Sequence, residues 1–243
     1  MLSVGFKTDR GMKREINEDS VFVLPDRQLF IVADGVGGRS SGEVASSLAV
    51  ESIAGFAVDS PVEDVPAGRE LREYFMSAFK KANSRIYAMA RPGGGHPGMA
   101  TTCVLAYVRG SYAYVVNVGD SRAYLVRDGV ARQVTEDHSA VREMVRTGLI
   151  SEEEARRRPD RNVITRALGG EEDIAPDFFS FELFPGDTLI LCTDGLYSEV
   201  SEAQMAELCG RYKTMHRLTR QLVSEANRRG GSDNITVCCV RIV

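Results

Sequence analysis

The stretch from Thr101 to Thr135 constrains the fold more than any other part of this chain. Four strand-like runs, TTCVLAYV, YAYVVNV, RAYLVRD and ARQVT, follow one another with only RGS, GDS and DG between them. β-branched and aromatic residues fill the runs, and the separators are turn material. Parallel neighbours need crossovers of a dozen residues or more, which such short separators forbid. The block reads as an antiparallel meander of three successive hairpins. VFVL (21–24) and LFIVA (29–33), joined by PDRQ, read as one more hairpin.

Helical text flanks these strands in two pairs. The first helix follows DGVGG, opens on Ser40-Ser41-Gly42-Glu43 as a capping box, and carries the stripe Ala45, Leu48, Ala49, Ile53 and Phe56. A second is expected at about 69–90, a third from Ser201 with Gln204 three residues on, and a fourth at about 214–229. RPGGGHPG (91–98) is loop text. Further strands are expected at 178–183 and 187–193, and NITVCCVRIV closes the chain as a strand. Residues 137–160 are charged and weakly amphipathic, with a capping box at Ser151–Glu154, and read as a mobile surface insertion. Both sheet faces and both helix pairs need burying partners. The expected fold is therefore an α/β/β/α sandwich, with central antiparallel sheets between helix pairs. No repeat or composition break divides the chain, so residues 1–243 are expected to form a single domain.

Bulk properties exclude several function classes. A net charge of −4 offers no electrostatic reason to bind nucleic acid or an anionic membrane. The apolar runs are strand-sized, too short to span a bilayer. The first twenty residues are polar and carry no apolar signal segment. Five cysteines, mostly within apolar strands and without any C-x-x-C, read as reduced core thiols of a cytoplasmic protein. CVLAYVR (103–109) matches the Cys, five residues, Arg pattern of cysteine phosphatases, but its interior is strand text. Extended, its ends stand roughly 20 Å apart and cannot cradle a phosphate. DGVGGRSSG lacks the third glycine of a dinucleotide fingerprint, and no GxxxxGK[ST] occurs.

The chemistry lies in the aspartates. Asp19 precedes VFVL, Asp34 follows LFIVA, Asp120 sits in NVGDSRAY, Asp194 follows LILCT, and Asp233 precedes NITVCCV. Singly, each is a turn former or a cap of its own backbone. Strand ends are rigid, however, and several can converge. Carboxylates ~4 Å apart repel by roughly 1–4 kcal/mol per pair, so such a cluster takes up protons or holds cations. An all-oxygen set suits Mg²⁺ or Mn²⁺ better than zinc, and no HExxH is present. The Gly35 carbonyl is one more accessible oxygen. Two close hard cations suit phosphoryl hydrolysis, and Arg14 is the nearest bidentate partner for a phosphate.

Together the ordered segments TDRGMKREINEDS, VADGVGG, TTCVLAYV with VNVGDSRAYL, TEDHS, NVITRALG, LCTDGLYSEV and GGSDNITV resemble the metal-dependent serine/threonine protein phosphatases of type 2C, in their compact bacterial form. The resemblance implies the same sandwich. It implies that Asp34 bridges two Mn²⁺ or Mg²⁺ ions, that Asp194 and Asp233 complete one shell, and that Asp19 and the Gly35 carbonyl serve the other. Asp120 with Asp194 matches a weaker third-metal site. Arg14 matches the arginine that grips the substrate phosphate, and Glu18 and Asn234 match residues that orient ligands or metal waters. Residues 139–165 correspond to a flap beside the active site. The implied reaction is in-line attack by a bridging hydroxide on phosphoserine or phosphothreonine, with no phosphoenzyme. The implied partners are phosphoprotein substrates of a serine/threonine kinase, acted on by a monomer. Many eukaryotic members carry a histidine in the DGxGG turn as the acid; Val36 stands there, His138 is no obvious substitute, and a metal-bound water is the expected acid. Ala100 stands where glycine is frequent. A phosphatase-fold module that binds phosphoproteins without turnover is the rival, and such a protein would usually have lost one of these aspartates. A hydrolase of small phosphate esters would use the same site.

Overall fold

The computed structural model describes residues 1–37, 41–158, 160 and 163–243. In chain order the strands are β1 (Leu2–Asp9), β2 (Asp19–Leu24), β3 (Leu29–Val36), β4 (Ala100–Thr101), β5 (Cys103–Arg109), β6 (Tyr112–Val118), β7 (Arg122–Arg127), β8 (Val130–Gln133), β9 (Asp177–Glu182), β10 (Thr188–Cys192) and β11 (Ile235–Ile242). The helices are α1 (Ser41–Asp59), α2 (Arg69–Ala90), α3 (Ala140–Arg146), α4 (Glu152–Arg157), α5 (Asp194–Tyr197), α6 (Glu202–Arg211) and α7 (Met215–Arg229). One sheet runs β1-β11-β10-β7-β8. The other runs β2-β3-β5-β6-β9, with β4 beside β3. Every pairing is antiparallel.

Three buried layers hold the sheets and helices together. Leu29, Ile31 and Ala33 of β3 pack against α1 and α2, where Ala45, Ala49 and Ile53 of the expected stripe are buried. Ile190 and Cys192 of β10 and Val237 and Cys239 of β11 pack against α5, α6 and α7. Between the sheets lie Phe30, Val32, Val104, Ala106, Leu189, Leu191, Cys238 and Val240. This is the expected α/β/β/α sandwich. Burying both faces of both sheets explains why the strands read as continuous apolar runs.

Strand alternation then places the polar residues. Side chains two apart share a face. Asp34 shares the parity of Phe30 and Val32, and Asp19 that of Val21 and Val23, all of which face the inter-sheet layer. Thr102 extends the Val104 set, and Thr236 and Asn234 extend the Cys238 set. Asp19 stands directly opposite Asp34 in the β2–β3 register. The inter-sheet layer is thus apolar along its length and becomes polar at one end, where the strands finish.

Two expectations about the strands need correction. The meander is not three hairpins: β5–β6 and β7–β8 pair, but β6 and β7 belong to different sheets. The Gly119-Asp120-Ser121 turn carries the chain across the sandwich, with Gly119 at φ +100°. A hairpin and a sheet crossing demand the same turn residues, so local text does not separate them. Burial does: Tyr124 and Val126 of β7 need the layer beside α5–α7, which β6 does not reach. Residues 2–9, read only as polar, form the edge strand β1, whose Leu2 and Val4 pack between the sheets. The Ser151–Glu154 and Ser201–Gln204 capping boxes are present. The Ser40 capping box lies outside the described residues. No described helix is long and apolar enough to cross a membrane. All five cysteines are free and buried.

Candidate metal centre

A cleft of about 300 Å³ opens at the polar end of the sandwich, lined by Arg14, Glu18, Asp34, Gly35, Asp120, Asp194, Asp233 and Asn234 together with Val36, Gly37, Thr102 and Ile164. Sequence-distant strand ends therefore bring eight of the nine expected site residues to one surface. Asp19 does not line it. It is buried opposite Asp34 in the β2–β3 pair, where Thr193 Oγ1 donates to its Oδ2 at 2.9 Å.

The supports are specific. Thr102 Oγ1 accepts from the Asp34 amide (3.0 Å) and pairs with the Ser121 hydroxyl (2.6 Å), and Thr101 Oγ1 donates to the Asp34 carbonyl (2.8 Å). These hydroxyls went unremarked in the sequence. Their signal is the polar Thr-Thr pair heading an otherwise apolar strand. Asn234 Oδ1 accepts from the Glu18 amide (2.8 Å), and its Nδ2 donates to the carbonyls of Arg10 (2.9 Å) and Ile16 (2.8 Å). It ties the 10–18 loop, which carries Arg14, to the start of β11. Glu18 Oε1 accepts from the Gly42 amide at 3.2 Å, joining that loop to the first turn of α1.

Both Asp-Gly turns need glycine for space rather than for a left-handed φ. A Cβ on Gly35 would lie 1.9 Å from the Gly42 carbonyl oxygen and 2.7 Å from that of Glu18. A Cβ on Gly42 would lie 2.7 Å from the Gly35 carbonyl oxygen, so two bare backbones meet there. A Cβ on Gly195 would lie 2.0 Å from the Asn234 carbonyl oxygen.

Charge in this cleft is only partly compensated by protein. Burial, then the charges of Asp19, Asp194, Asp120 and Asp233, push the Asp34 carboxyl well above the usual carboxylate range. Burial likewise raises Asp19 and Asp194, and burial followed by Asp137 brings Asp120 to about 6. Arg14 is the one cation lining the cleft among the described residues. Its Nη2 donates to Asp233 Oδ2 at 2.7 Å, which raises the guanidinium's pKa. The buried oxygens Asp19 Oδ1 and Asp194 Oδ1 have no hydrogen-bond partner among the described residues. Such orphaned acceptors are costly unless a cation or water meets them.

The donor set discriminates between ions. Among the described residues, no three Asp, Glu, His or Cys side chains converge closely enough to enclose an ion by themselves. The cleft offers carboxylates spread along its wall, the Gly35 backbone and room for water. That suits a hard divalent ion that keeps part of its hydration, and not a closed zinc site. His138 is no donor here. Its Nδ1 accepts from the Gly119 amide, its Nε2 faces Asp177 Oδ2, and burial lowers its pKa. Val36 is 39% exposed at the cleft and offers no proton.

Known proteins match this chain in sequence and in fold. The family model described as protein phosphatase 2C matches residues 11–233. The serine/threonine phosphatase stp of Listeria innocua is 40% identical over 238 residues, covering 97% of this chain and 94% of its own. Protein phosphatase PhpP of Streptococcus pneumoniae is 34% identical, over 98% and 97%. The crystal structure of the Mycobacterium tuberculosis serine/threonine phosphatase PstP/Ppp superposes with a TM-score of 0.89 at 35% identity, over 99% and 98%. The catalytic domain of the serine/threonine protein phosphatase PstP, solved in complex with two manganese ions, superposes with a TM-score of 0.85 at 34% identity over the whole of both chains. With its fold and nearly its whole length matched, the chain belongs to the protein phosphatase 2C family of serine/threonine phosphatases.

Proposed function

We propose that this chain hydrolyses phosphoserine and phosphothreonine in proteins at a centre of two Mn²⁺ or Mg²⁺ ions, with a weaker third. The observation that carries the reading is the convergence of Asp34, Asp120, Asp194 and Asp233 on one cleft beside Arg14, with orphaned buried oxygens on Asp19 and Asp194. Asp34 would serve both ions, Asp194 and Asp233 one of them, and Asp19 with the Gly35 carbonyl the other. Asp120 with Asp194 would hold the third. When bound, the cations neutralise charge on the attacking and leaving oxygens and acidify a water.

The chain's own side chains bind and orient. The Arg14 side chain is 51% exposed, so its fork reaches solvent while Asp233 steadies one end. A phosphate monoester can take the remaining donors in bidentate fashion. Asn234 and Glu18 hold the loop that carries Arg14. The cleft is lined by no Ser, Cys or His among the described residues, and the Thr102 hydroxyl is engaged with Asp34 and Ser121. This supports direct attack by water over a phosphoserine, phosphocysteine or phosphohistidine intermediate, and carboxylates that hold the cations are not free to attack as nucleophiles. It also supports protonation of the leaving alkoxide by cleft water, since no imidazole reaches it. Residues 1–243 act as one domain, with 139–165 a flap that reaches the cleft through Ile164. The substrates are the products of serine/threonine kinases, and the enzyme works as a monomer. Five buried free thiols support a reducing, cytoplasmic setting.

The test is hydrolysis of a phosphothreonine peptide by metal-stripped protein, with Mn²⁺, with Mg²⁺ and with chelator, beside Asp34→Asn. Turnover that needs the divalent ion and is lost in the variant is expected. Binding of Mn²⁺ and peptide with no turnover would instead make this a phosphoprotein-binding module. Competition between the peptide and a small aryl phosphate separates protein from small-ester substrates.

A further inference from the structure

His138 holds Gly119 at both of its backbone groups. The His138 amide donates to the Gly119 carbonyl at 3.0 Å, and the ring Nδ1 accepts from the Gly119 amide at 3.1 Å. Asn117 Nδ2 also donates to that carbonyl, at 3.1 Å. The carbonyl therefore has two partners, while the amide's bond is to the imidazole. Because Nδ1 accepts, the ring hydrogen sits on Nε2 and is donated to Asp177 Oδ2 at 3.1 Å. Asp177 begins β9 opposite Asn117, and its other oxygen pairs with Arg166 at 3.5 Å. The imidazole is thus fixed from the far side, and it is only 6% exposed.

The same residue closes the base of the 139–165 segment. Thr165 donates its amide to the His138 carbonyl at 2.8 Å, Ala140 donates to the Val163 carbonyl at 2.9 Å, and Ser139 bridges to Ile164. Ile164 lines the cleft, and so does Asp120, the residue after Gly119. The sheet-crossing turn and the two ends of the flap therefore meet at one residue.

We propose that His138 is a positioning residue: through its Nδ1 bond to the Gly119 amide it sets the direction in which Asp120 enters the cleft, and through its main chain it ties that direction to the base of the flap. This rests on the reading of Asp120 as a ligand of the weaker third cation. A catalytic proton transfer is not involved, since both ring nitrogens are committed to protein.

Two substitutions separate the ring's two bonds. In His138→Asn the amide oxygen falls near the position of Nδ1 and can accept from Gly119, while the reach to Asp177 is lost. In His138→Gln the amide nitrogen can fall near the position of Nε2, and the Gly119 amide is left without its acceptor. Metal-stripped full-length protein is titrated with Mn²⁺, and the free ion is counted by electron paramagnetic resonance, for the parent, both variants and Asp120→Asn. Amide hydrogen exchange at Gly119 is followed in parallel. Asp120→Asn and His138→Gln are expected to weaken the weaker class of sites about 10-fold or more while the tighter sites stay unchanged. His138→Asn is expected to stay near the parent, with Gly119 protected in it and exchanging fast in His138→Gln. Equal loss in the Asn and Gln variants, or parent-like binding in His138→Gln with Gly119 unprotected, would overturn the inference alone. An Asp120→Asn protein that binds Mn²⁺ as the parent does would overturn the reading of Asp120 and the inference with it.

Discussion

Asp19 and Asp34 face each other across one strand pair, and burial holds both carboxyls above their ordinary range. A raised carboxyl pKa means that the folded chain binds protons more tightly than the unfolded one. In metal-free protein this contribution is fully present below about pH 4, the unfolded carboxylate value, and is lost as pH rises through the folded values. For Asp120 that window closes at about 6. Metal-free protein should therefore melt at a higher temperature at pH 5 than at pH 8, with a stability difference on the order of 1 to 3 kcal/mol for such a site. Saturating Mn²⁺ should reverse the order, because binding to the native state alone stabilises it. Calorimetry with and without chelator measures both. Arg14 gives a second prediction at this scale. Its pair with Asp233 is half exposed, so Arg14→Lys should change stability by less than ~1 kcal/mol. The lost fork should nonetheless lower kcat/KM on a phosphothreonine peptide about 10-fold or more.

At the scale of elements, the two strand-Asp-Gly-helix turns are the informative units. An Asp-Gly dipeptide reads as a turn from local text, and the carboxylates were legible because they abut apolar runs. The reason for the glycines was not legible. Gly35 and Gly195 are required by the Gly42 and Asn234 carbonyls, which lie elsewhere along the chain. Gly35→Ala and Gly195→Ala should each cost about 3 kcal/mol or more, since backbone yields less readily than a flexible side chain. Urea unfolding would show it as a lower midpoint at unchanged slope. The crossing from β6 to β7 illustrates the same division. GDS announces a turn, but which sheet receives the next strand depends on which layer can bury Tyr124.

At the scale of the whole molecule, the layer between the sheets carries the site as its open end. Phe30 is fully buried there, two strand positions from Val32 and four from Asp34 on the same face. Phe30→Ala should cost about 3–5 kcal/mol by transfer and cavity formation. Turnover per folded molecule should fall far less than in Asp34→Asn, because Phe30 does not line the cleft. Thermal unfolding beside active-site titration distinguishes lost stability from lost chemistry. The helical layers outside meet the site at two places, the first turn of α1, which Glu18 and Gly35 meet directly, and the start of α5, which supplies Asp194.

The identity of most elements, the antiparallel pairing of β5 with β6 and β7 with β8, the layer order and the aspartates that abut apolar runs all followed from the amino-acid sequence by itself. Each depends on patterns within about ten residues: apolar runs, turn residues, caps and periodicity. Tertiary structure alone decided that β7 changes sheets, that residues 2–9 add an edge strand, that Asp19 is buried out of the cleft opposite Asp34, and that His138 closes the turn before Asp120. Those facts depend on which distant backbone comes to rest against a given side chain. That is settled by burying both faces of both sheets at once, and no local stretch of sequence contains it.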